Sequence, residues 1–427
     1  MGKKIDENAV HDYLHKTGLK ASIAHCQEVE DFDPEEEFDN FELWKLIRSQ
    51  AMTKLKRLHQ CMQCGEFIAS KLKLPIDKTT PMELDLLGYH NDGIFVLELK
   101  VARAAERNAF TELMGYSYYI AEMFALSGAK DITNVLVANL DAKITRQAYL
   151  YDLLVSDRDI IVYNPTFPDG TLASLKLELH IPSDDDFKHL TNELLSHDSM
   201  ACIVVSFDDF EGWFDNKEAN GNLNNWTIDH LNKLANYTSQ LMEAEGLHGF
   251  CFIRKHWEEI PLSKRTSLIV CALNPFLLSN DERTNSVAEQ ISWEAANLIA
   301  EVPRNGFYGR LIRIGRRAIK DCLTHDYRCE IEMPLWSWMI RSMIEVVFTH
   351  NFGFRPVGML REAYTSHLNN LYAQEANGTG QGEDVSILKL NEITNWMGAW
   401  MFMEACGFAA GEMLEMEDVE EHEGDGI

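Results

Sequence analysis

The stretch MELDLLGYHNDGIFVLELKV, residues 82–101, places three ionisable side chains, Asp85, Glu98 and Lys100, within two runs of apolar residues. On both sides of the turn HNDG, residues alternate with the two-residue period of β-strands, so the sequence predicts an antiparallel hairpin. Charged groups inside apolar strands are costly unless they are paired or bound to a metal ion. The charged side chains of the hairpin therefore require an oppositely charged partner or a bound metal ion.

Strand alternation predicts where these three side chains point. Asp85 lies on the face opposite its two leucine neighbours, whereas Glu98 and Lys100 share one face of the second strand. Pairing around HNDG would bring all three together. Two carboxylates and the nearby carbonyl of Leu99 suit Mg²⁺ or Mn²⁺, because hard cations take few carboxylates and keep several waters. Lys100 would then lie beside the bound water, where its charge stabilises hydroxide or a phosphate transition state.

The segments around the hairpin predict one α/β domain over residues 41–165. A helical pattern without proline runs over residues 41–72, as one long helix or two short ones. After the hairpin, residues 107–126 are helical in pattern, and the β-branched run ITNVLVANL predicts a strand. The segment ITRQAYLYDLLV then predicts a helix, and DIIVYNP predicts a last strand.

These residues resemble the signature of the PD-(D/E)xK phosphodiesterase superfamily, which includes restriction endonucleases, junction resolvases and repair exonucleases. The signature is an acid on the first hairpin strand and an acid-x-Lys on the second. Asp85 and Glu98-Leu99-Lys100 match it here. The resemblance covers about residues 41–165. It implies an α/β fold whose N-terminal part is a restriction-endonuclease-like αβββαβ core.

The resemblance also implies an activity and further site residues. It implies Mg²⁺- or Mn²⁺-dependent cleavage of DNA, with Glu66, Asp85 and Glu98 as metal ligands, because several members carry an additional acid on the preceding helix. Some exonuclease-type members have Gln-x-x-x-Tyr on the following helix. Glu112 and Tyr116 occupy these places, so the chain departs at the first position, and the usual proline before the first acid is absent.

Two other interpretations of the hairpin stay open from the sequence. In the first, Glu98 and Lys100 form a surface ion pair and Asp85 lies in a polar site near the turn. The apolar character of GIFVLEL counts against this, because it favours a central strand. In the second, the domain is a degenerate nuclease fold that serves as the scaffold of a non-catalytic sensor or assembly protein.

The rest of the chain predicts a second α/β domain with a helical C-terminal region over residues 166–409. Strands are predicted at ACIVVSF, HGFCFIR and TSLIVCALNPF, and a helix at NLNNWTIDHLNKLANYTSQLMEAEG. Residues 286–345 and 386–409 are mainly helical in pattern. We expect this domain to serve recognition, regulation or oligomerisation. Residues 1–40 are predicted to form a polar, partly disordered arm, and residues 410–427 an acidic tail.

The net charge of −28 repels polyanions at long range, so contact with DNA requires local basic patches. Two segments are candidates, and each could instead be a solvated helix face paired with nearby acids. The first contains Lys54, Lys56 and Arg57. The second contains Arg310, Arg313, Arg316, Arg317 and Lys320.

Composition predicts a cytoplasmic protein that does not enter the membrane. No apolar run is long enough to span a bilayer, and the N-terminus lacks the apolar segment of a signal peptide. The nine cysteines are scattered, which favours reduced thiols. Cys61 and Cys64 are spaced for a metal but more simply face a helix core. The predicted partners are DNA, further copies of the chain, and a partner protein or activating ligand. Restriction, phage defence or repair fit such a protein.

Overall fold

A computed structural model describes most of the chain in two compact units. The described residues are 5–33, 42–74, 82–101, 106–124, 127–128, 130–194, 199–208, 224–256, 266–276, 282–323, 329–339, 349–378, 402 and 406. The first unit comprises Met1–Glu37 and Trp44–Lys188, and the second comprises Phe38–Leu43 and His189–Ile427. Both are mixtures of helices and strands, as predicted. No helix within these ranges has the length and apolar character that crossing a bilayer requires.

The first unit is built around one six-stranded sheet. Its helices are α1 (Glu7–Thr17), α2 (Gln27–Glu30), α3 (Leu43–Gln63), α4 (Glu106–Ala121) and α5 (Lys143–Leu150), and it ends at Lys188 within α6 (Asp184–Leu194). Its strands are β1 (Glu66–Leu74), β2 (Met82–His90), β3 (Gly93–Lys100), β4 (Ile132–Ala138), β5 (Ile160–Thr166) and β6 (Lys176–Leu179). The strand order in the sheet is the same as the order along the chain.

The predicted hairpin is confirmed. Strands β2 and β3 pair antiparallel from Leu86 opposite Leu97 to His90 opposite Gly93. Strands β3, β4 and β5 are parallel to one another, and α4 and α5 form the connections between them. Parallel strands need such crossover connections and are buried on both faces, which explains the continuous apolar runs of β3 and β4.

The helix predicted over residues 41–72 was too long. Helix α3 ends at Gln63, and β1 begins at Glu66. Gly65 lies between them, and a Cβ atom there would lie 3.0 Å from the ring of Phe95. The segment EFIASKLKL that follows alternates between more and less exposed residues, as an edge strand does. The core therefore contains three strands before α4.

The prediction of a partly disordered arm over residues 1–40 was wrong for its described part. Asp6 caps α1 by accepting a hydrogen bond from the backbone N–H of Ala9 at 2.8 Å. Val10 and Leu14, one helical turn apart, are fully buried. Farther along, the backbone N–H of Leu177 donates to the carbonyl of Ser22 at 2.8 Å. The N-terminal segment is thus an integral part of the first unit.

The first unit also extends beyond the predicted boundary at residue 165. Strand β6 pairs antiparallel with β5, from Tyr163 opposite Leu179 to Thr166 opposite Lys176. The segment that connects the two strands is rich in turn-forming residues, so the sequence pattern did not predict that the chain returns to the sheet as β6. The unit consequently continues to Lys188.

Replacing Leu14 with alanine should test whether α1 stabilises the first unit. Leu14 is completely buried, and truncating such a leucine typically costs about 2–5 kcal/mol of unfolding free energy. We expect the urea midpoint of the first unit's transition to fall. Lys16→Ala, an exposed change on the same helix, is the matched control. Equal midpoints for the two variants would contradict the packing of α1.

The second unit is built around a five-stranded antiparallel sheet. Its strands are β7 (Met200–Phe207), β8 (Gly249–His256), β9 (Thr266–Leu273), β10 (Glu330–Glu332) and β11 (Thr349–Val357), in the order β10-β7-β9-β8-β11. Its helices are α7 (Asn225–Ala244), α8 (Glu282–Ala288), α9 (Trp293–Cys322) and α10 (Met359–Ala376). Helices α7 and α9 pack on one face of the sheet and enclose an apolar core.

The three strands and the helix predicted for this unit are present as β7, β8, β9 and α7. Residues 286–345 are helical only in part, because α9 ends at Cys322 and β10 follows. Strand β11 was not predicted. Apart from Phe402 and Cys406, the helical prediction for residues 386–409 lies outside the described residues, as does the acidic tail at 410–427.

Candidate active site

Asp85 is held in place by contacts of both its side chain and its backbone. Its Oδ2 accepts a hydrogen bond from the backbone N–H of Leu99 at 2.8 Å, which ties the carboxylate of β2 to β3. Its backbone carbonyl lies 3.1 Å from Nε2 of the buried His11 on α1. A carbonyl oxygen only accepts, so His11 is the donor. The first acid of the signature is therefore fixed against the second strand.

Glu98 and Lys100 form a buried ion pair to which Glu112 adds a second carboxylate. Lys100 Nζ donates to Glu98 Oε1 and lies 2.9 Å from Glu112 Oε2. The side chain of Glu98 is 3% exposed and that of Lys100 is 12% exposed. The alternative of a surface ion pair is thus wrong, because the Glu98 side chain lies on a buried face of the sheet.

Burial and crowding shift the acid–base equilibria of this cluster. Burial, followed by the charge of Asp85, raises the pKa of Glu98 to about 8. Burial also raises the pKa of Asp85, against the hydrogen bond from Leu99. For Lys100, burial lowers the pKa, but Glu98 and Glu112 outweigh it, so its pKa is above the ordinary value. One ammonium group is shared among several carboxylates, so additional positive charge would be stabilised here.

A divalent cation fits the donor atoms at this position. Glu98 Oε2 is buried and has no hydrogen-bond partner among the described residues. With Asp85, it offers the two carboxylates with which Mg²⁺ is commonly held, the remaining positions being filled by waters. Within the described ranges, no group of three or more His, Cys, Asp or Glu side chains is arranged to hold a metal ion. A site here would therefore depend on two acids and water.

Glu66 is not part of this cluster. The sequence placed it on the helix before the hairpin, but it is the exposed first residue of β1 and accepts a hydrogen bond from Tyr89 at 2.6 Å. It pairs in register with Tyr89, four residues along β2 from Asp85, or roughly 13 Å at the rise of a strand. The prediction of Glu66 as a third metal ligand is wrong.

Glu7, at the start of α1, lies near the cluster and was missed by the sequence analysis. Burial raises the pKa of Glu7, Lys100 lowers it, and Asp85 raises it again, so their charges interact. A backbone hydrogen bond with Val101, directly after β3, also lowers this pKa. The segment IDENAVHDYL did carry a helix signal, an N-capping Asp6 before apolar residues at helical spacing.

Replacing Glu7 with glutamine should weaken cation binding at the cluster. Loss of one nearby carboxylate lowers the negative potential, and outer-shell changes of this kind typically cost about 10- to 100-fold in metal affinity. If the cluster holds the cation that the resemblance implies, the Mg²⁺ concentration for half-maximal DNA cleavage should rise by about 10-fold, with little change at saturating Mg²⁺. Asp169→Asn, an exposed acid in the same unit, is the control. An unchanged Mg²⁺ requirement would remove Glu7 from the site.

Tyr116 and Glu112 lie at the site in different roles. The hydroxyl of Tyr116 donates to the backbone carbonyl of Glu83 at 2.9 Å, so it anchors α4 to the start of β2. Burial, followed by the charge of Glu98, raises the pKa of Tyr116 to about 12. Glu112 instead contacts Lys100 directly. Both residues, which the resemblance suggested as accessory residues, therefore contact the hairpin.

The three cations at residues 54–57 have partners inside the first unit. Lys54 Nζ is 3.0 Å from Asp157, and Arg57 Nη2 is 2.6 Å from the buried Asp159. Lys56 donates to the backbone carbonyl of Phe32 at 3.0 Å. These contacts fix α3 to the rest of the unit. They contradict the prediction that the three cations form a surface for phosphates.

The second basic segment lies on α9 of the second unit. Arg310 pairs with Glu245 at 2.9 Å, and Arg317 lies 3.5 Å from Asp321 one turn away. Arg313, Arg316 and Lys320 are exposed. Contact between this segment and DNA stays a prediction.

The two cysteines at the end of α3, which are spaced for a metal ion, lie in different environments. Cys61 is buried and its thiol donates to Asp92, whereas Cys64 is exposed.

No protein-family model, curated protein or solved structure matches this chain.

Proposed function

We propose that the protein is a Mg²⁺- or Mn²⁺-dependent phosphodiesterase that cleaves DNA, with a restriction-endonuclease-like core in its first unit. One observation carries the proposal. On two adjacent strands, Asp85, Glu98 and Lys100 form a buried cluster in which Glu98 Oε2 has no partner among the described residues. Such groups are costly to bury unless they serve a function or bind an ion.

Asp85 and Glu98 are the residues that would hold the cation. When bound, the cation would polarise the phosphate and lower the pKa of a coordinated water. Lys100 has three N–H donors and contacts two carboxylates, Glu98 and Glu112, so one donor is left for a phosphate oxygen or the attacking water. Its positive charge would stabilise the charge that develops on phosphorus-bound oxygens in the transition state.

The arrangement of the hairpin and α4 supports the same function. The order α3-β1-β2-β3-α4-β4 in the first unit is the αβββαβ order that the resemblance implies. Lys100 ends β3 opposite Ala138 of β4, and the backbone N–H of the preceding Leu99 donates to the Asp85 carboxylate on β2. A rigid strand end is a suitable support for a catalytic group, because small displacements of such groups are costly.

Purified protein incubated with linear, supercoiled and single-stranded DNA tests the proposal. We expect degradation of at least one form with Mg²⁺ or Mn²⁺ and none with a chelator. The three forms separate cutting at ends from internal cutting, and an RNA of the same sequence tests the choice of sugar. If no substrate is degraded under any of these conditions, the non-catalytic sensor or assembly protein becomes the better description.

A further inference from the structure

Strand β8 of the second unit carries a buried guanidinium group that has no carboxylate partner in the described part of the chain. Arg254 is 5% exposed, and among the described residues it forms no ion pair. Its Nε donates to Asn351 Oδ1 at 3.2 Å, and its Nη2 lies 3.7 Å from the sulfur of Met339. Its guanidinium carbon lies 5.7 Å from the ring centroid of Phe252. Most of its five N–H donors are therefore unused.

Arg254 is nevertheless charged at neutral pH. Burial lowers its pKa to about 10, which still leaves the guanidinium protonated in the cell. A buried charge that lacks a counter-ion costs several kcal/mol, and proteins normally offset this cost with an opposite charge. The protein thus retains a cation in its interior at an energetic cost.

Asn351 offers a second unused donor beside this cation. It lies directly opposite Arg254 on the neighbouring strand β11. Because a guanidinium only donates, Asn351 must turn its amide oxygen toward Arg254 and its amide nitrogen away from it. That nitrogen, Nδ2, is buried and has no partner among the described residues. Within the described part of the chain, a buried amide donor without an acceptor therefore lies next to the guanidinium group of Arg254.

The described ionisable residues at this end of β8 are basic. His256 lies two residues beyond Arg254 on the same face of the strand, and its buried Nδ1 has no partner among the described residues. Burial lowers the pKa of His256, and the charges of Arg254 and Lys255 lower it further. This cluster of basic groups stands out in a chain with a net charge of −28.

The neighbouring strands supply hydroxyl groups rather than carboxylates. Ser267 is opposite Arg254 on β9, and Ser206 is opposite Ser267 on β7. Their hydroxyl oxygens are 2.8 Å apart, so they bind each other. The first carboxylate in this row is that of Glu330 on β10, three strands from Arg254, or roughly 14 Å at the usual strand spacing. Along this row of paired residues, no carboxylate is therefore close enough to form an ion pair with Arg254.

We propose that Arg254 and Asn351 bind the oxyanion group of a small-molecule ligand, a phosphate or a carboxylate. The site lies on the face of the second sheet that carries the ring of Phe252. A guanidinium binds an oxyanion through charge-assisted N–H donors, and the amide nitrogen of Asn351 adds one neutral donor on the adjacent strand. Arg254 and Asn351 belong to the second unit, whereas the cluster around Glu98 belongs to the first. The proposal therefore does not depend on nuclease activity.

Calorimetric titration of the full-length protein with inorganic phosphate, AMP and acetate tests this site. We expect saturable binding of at least one probe, and the comparison separates a phosphate ligand from a carboxylate. Arg254→Gln should weaken that binding by about 10- to 100-fold, the effect of losing a charged hydrogen-bond donor. Asn351→Ala should weaken it in the same direction. Arg361→Gln, which removes an exposed arginine paired with Glu243, should leave it unchanged.

Each variant should first be compared with the wild type by circular dichroism and thermal unfolding. If Arg254→Gln does not fold, Asn351→Ala decides: weakened binding supports the site, and wild-type affinity contradicts it. Absence of saturable binding of all three probes to the wild type would overturn the proposal. So would a folded Arg254→Gln variant that binds as tightly as the wild type.

Discussion

Replacing Lys100 with alanine is expected to lower metal-dependent DNA cleavage by roughly 10²–10³-fold, the usual cost of removing one preorganised donor to transition-state charge. Lys100 is the described cation in contact with both Glu98 and Glu112. Without it, no ammonium group stands beside the phosphate, and the carboxylates repel one another. The measurement is the initial rate of DNA degradation at saturating Mg²⁺.

The matched control for this change is Lys73→Ala. Lys73 is an exposed lysine on β1 of the same sheet, so its removal changes the net charge by the same amount and should leave the rate unchanged. Circular dichroism should show that the Lys100 variant is folded. A folded Lys100→Ala variant that cleaves at the wild-type rate would refute the catalytic role of this residue.

Replacing Glu98 with glutamine is expected to abolish cleavage and also to change how stability depends on pH. The pKa of Glu98 is raised from its ordinary value of 4.5 to about 8, chiefly by burial. A raised carboxyl pKa means that the folded protein holds this proton more tightly than the unfolded chain does. The resulting stability is fully present below about pH 4.5 and is lost as the pH rises through about 8.

Urea titrations in a chelating buffer between pH 5 and 9 measure this effect. Relative to Glu98→Gln, the unfolding free energy of the wild type should fall by roughly 1–4 kcal/mol across this range, since one pKa unit corresponds to ~1.36 kcal/mol. Glu83→Gln, an exposed acid on β2, is the control and should follow the wild type. A constant difference between wild type and Glu98→Gln at every pH would contradict the raised pKa.

The parts of the site that the sequence predicted depend on short-range periodicity. The two-residue alternation across HNDG placed Glu98 and Lys100 on one face, and their ion pair confirms it. Such patterns are set by the geometry of a single strand or helix, so they can be read from neighbouring residues alone. Glu112 and Tyr116 were instead suggested by the family resemblance, and both contact residues of the hairpin.

The errors concern contacts between residues that are distant in the chain. Glu66 had the expected spacing before the hairpin, but the acid near the cluster is Glu7, brought there by the packing of α1. Lys54 and Arg57 have the composition of a basic patch, yet their partners Asp157 and Asp159 follow about a hundred residues later. No local pattern distinguishes a cation that is free from one that is paired across the fold.

The sequence by itself determined the α/β class, the hairpin, and the acids and lysine that it carries, because side-chain alternation and turn chemistry are local properties of the chain. Only the tertiary structure decided that α1 completes the first unit and that the second oxygen of the buried Glu98 has no partner among the residues described. It alone placed the side chains of Arg254 and Asn351 in contact with each other. Burial and charge pairing arise when distant segments meet, and their energies depend on what surrounds each group rather than on its neighbours in the chain.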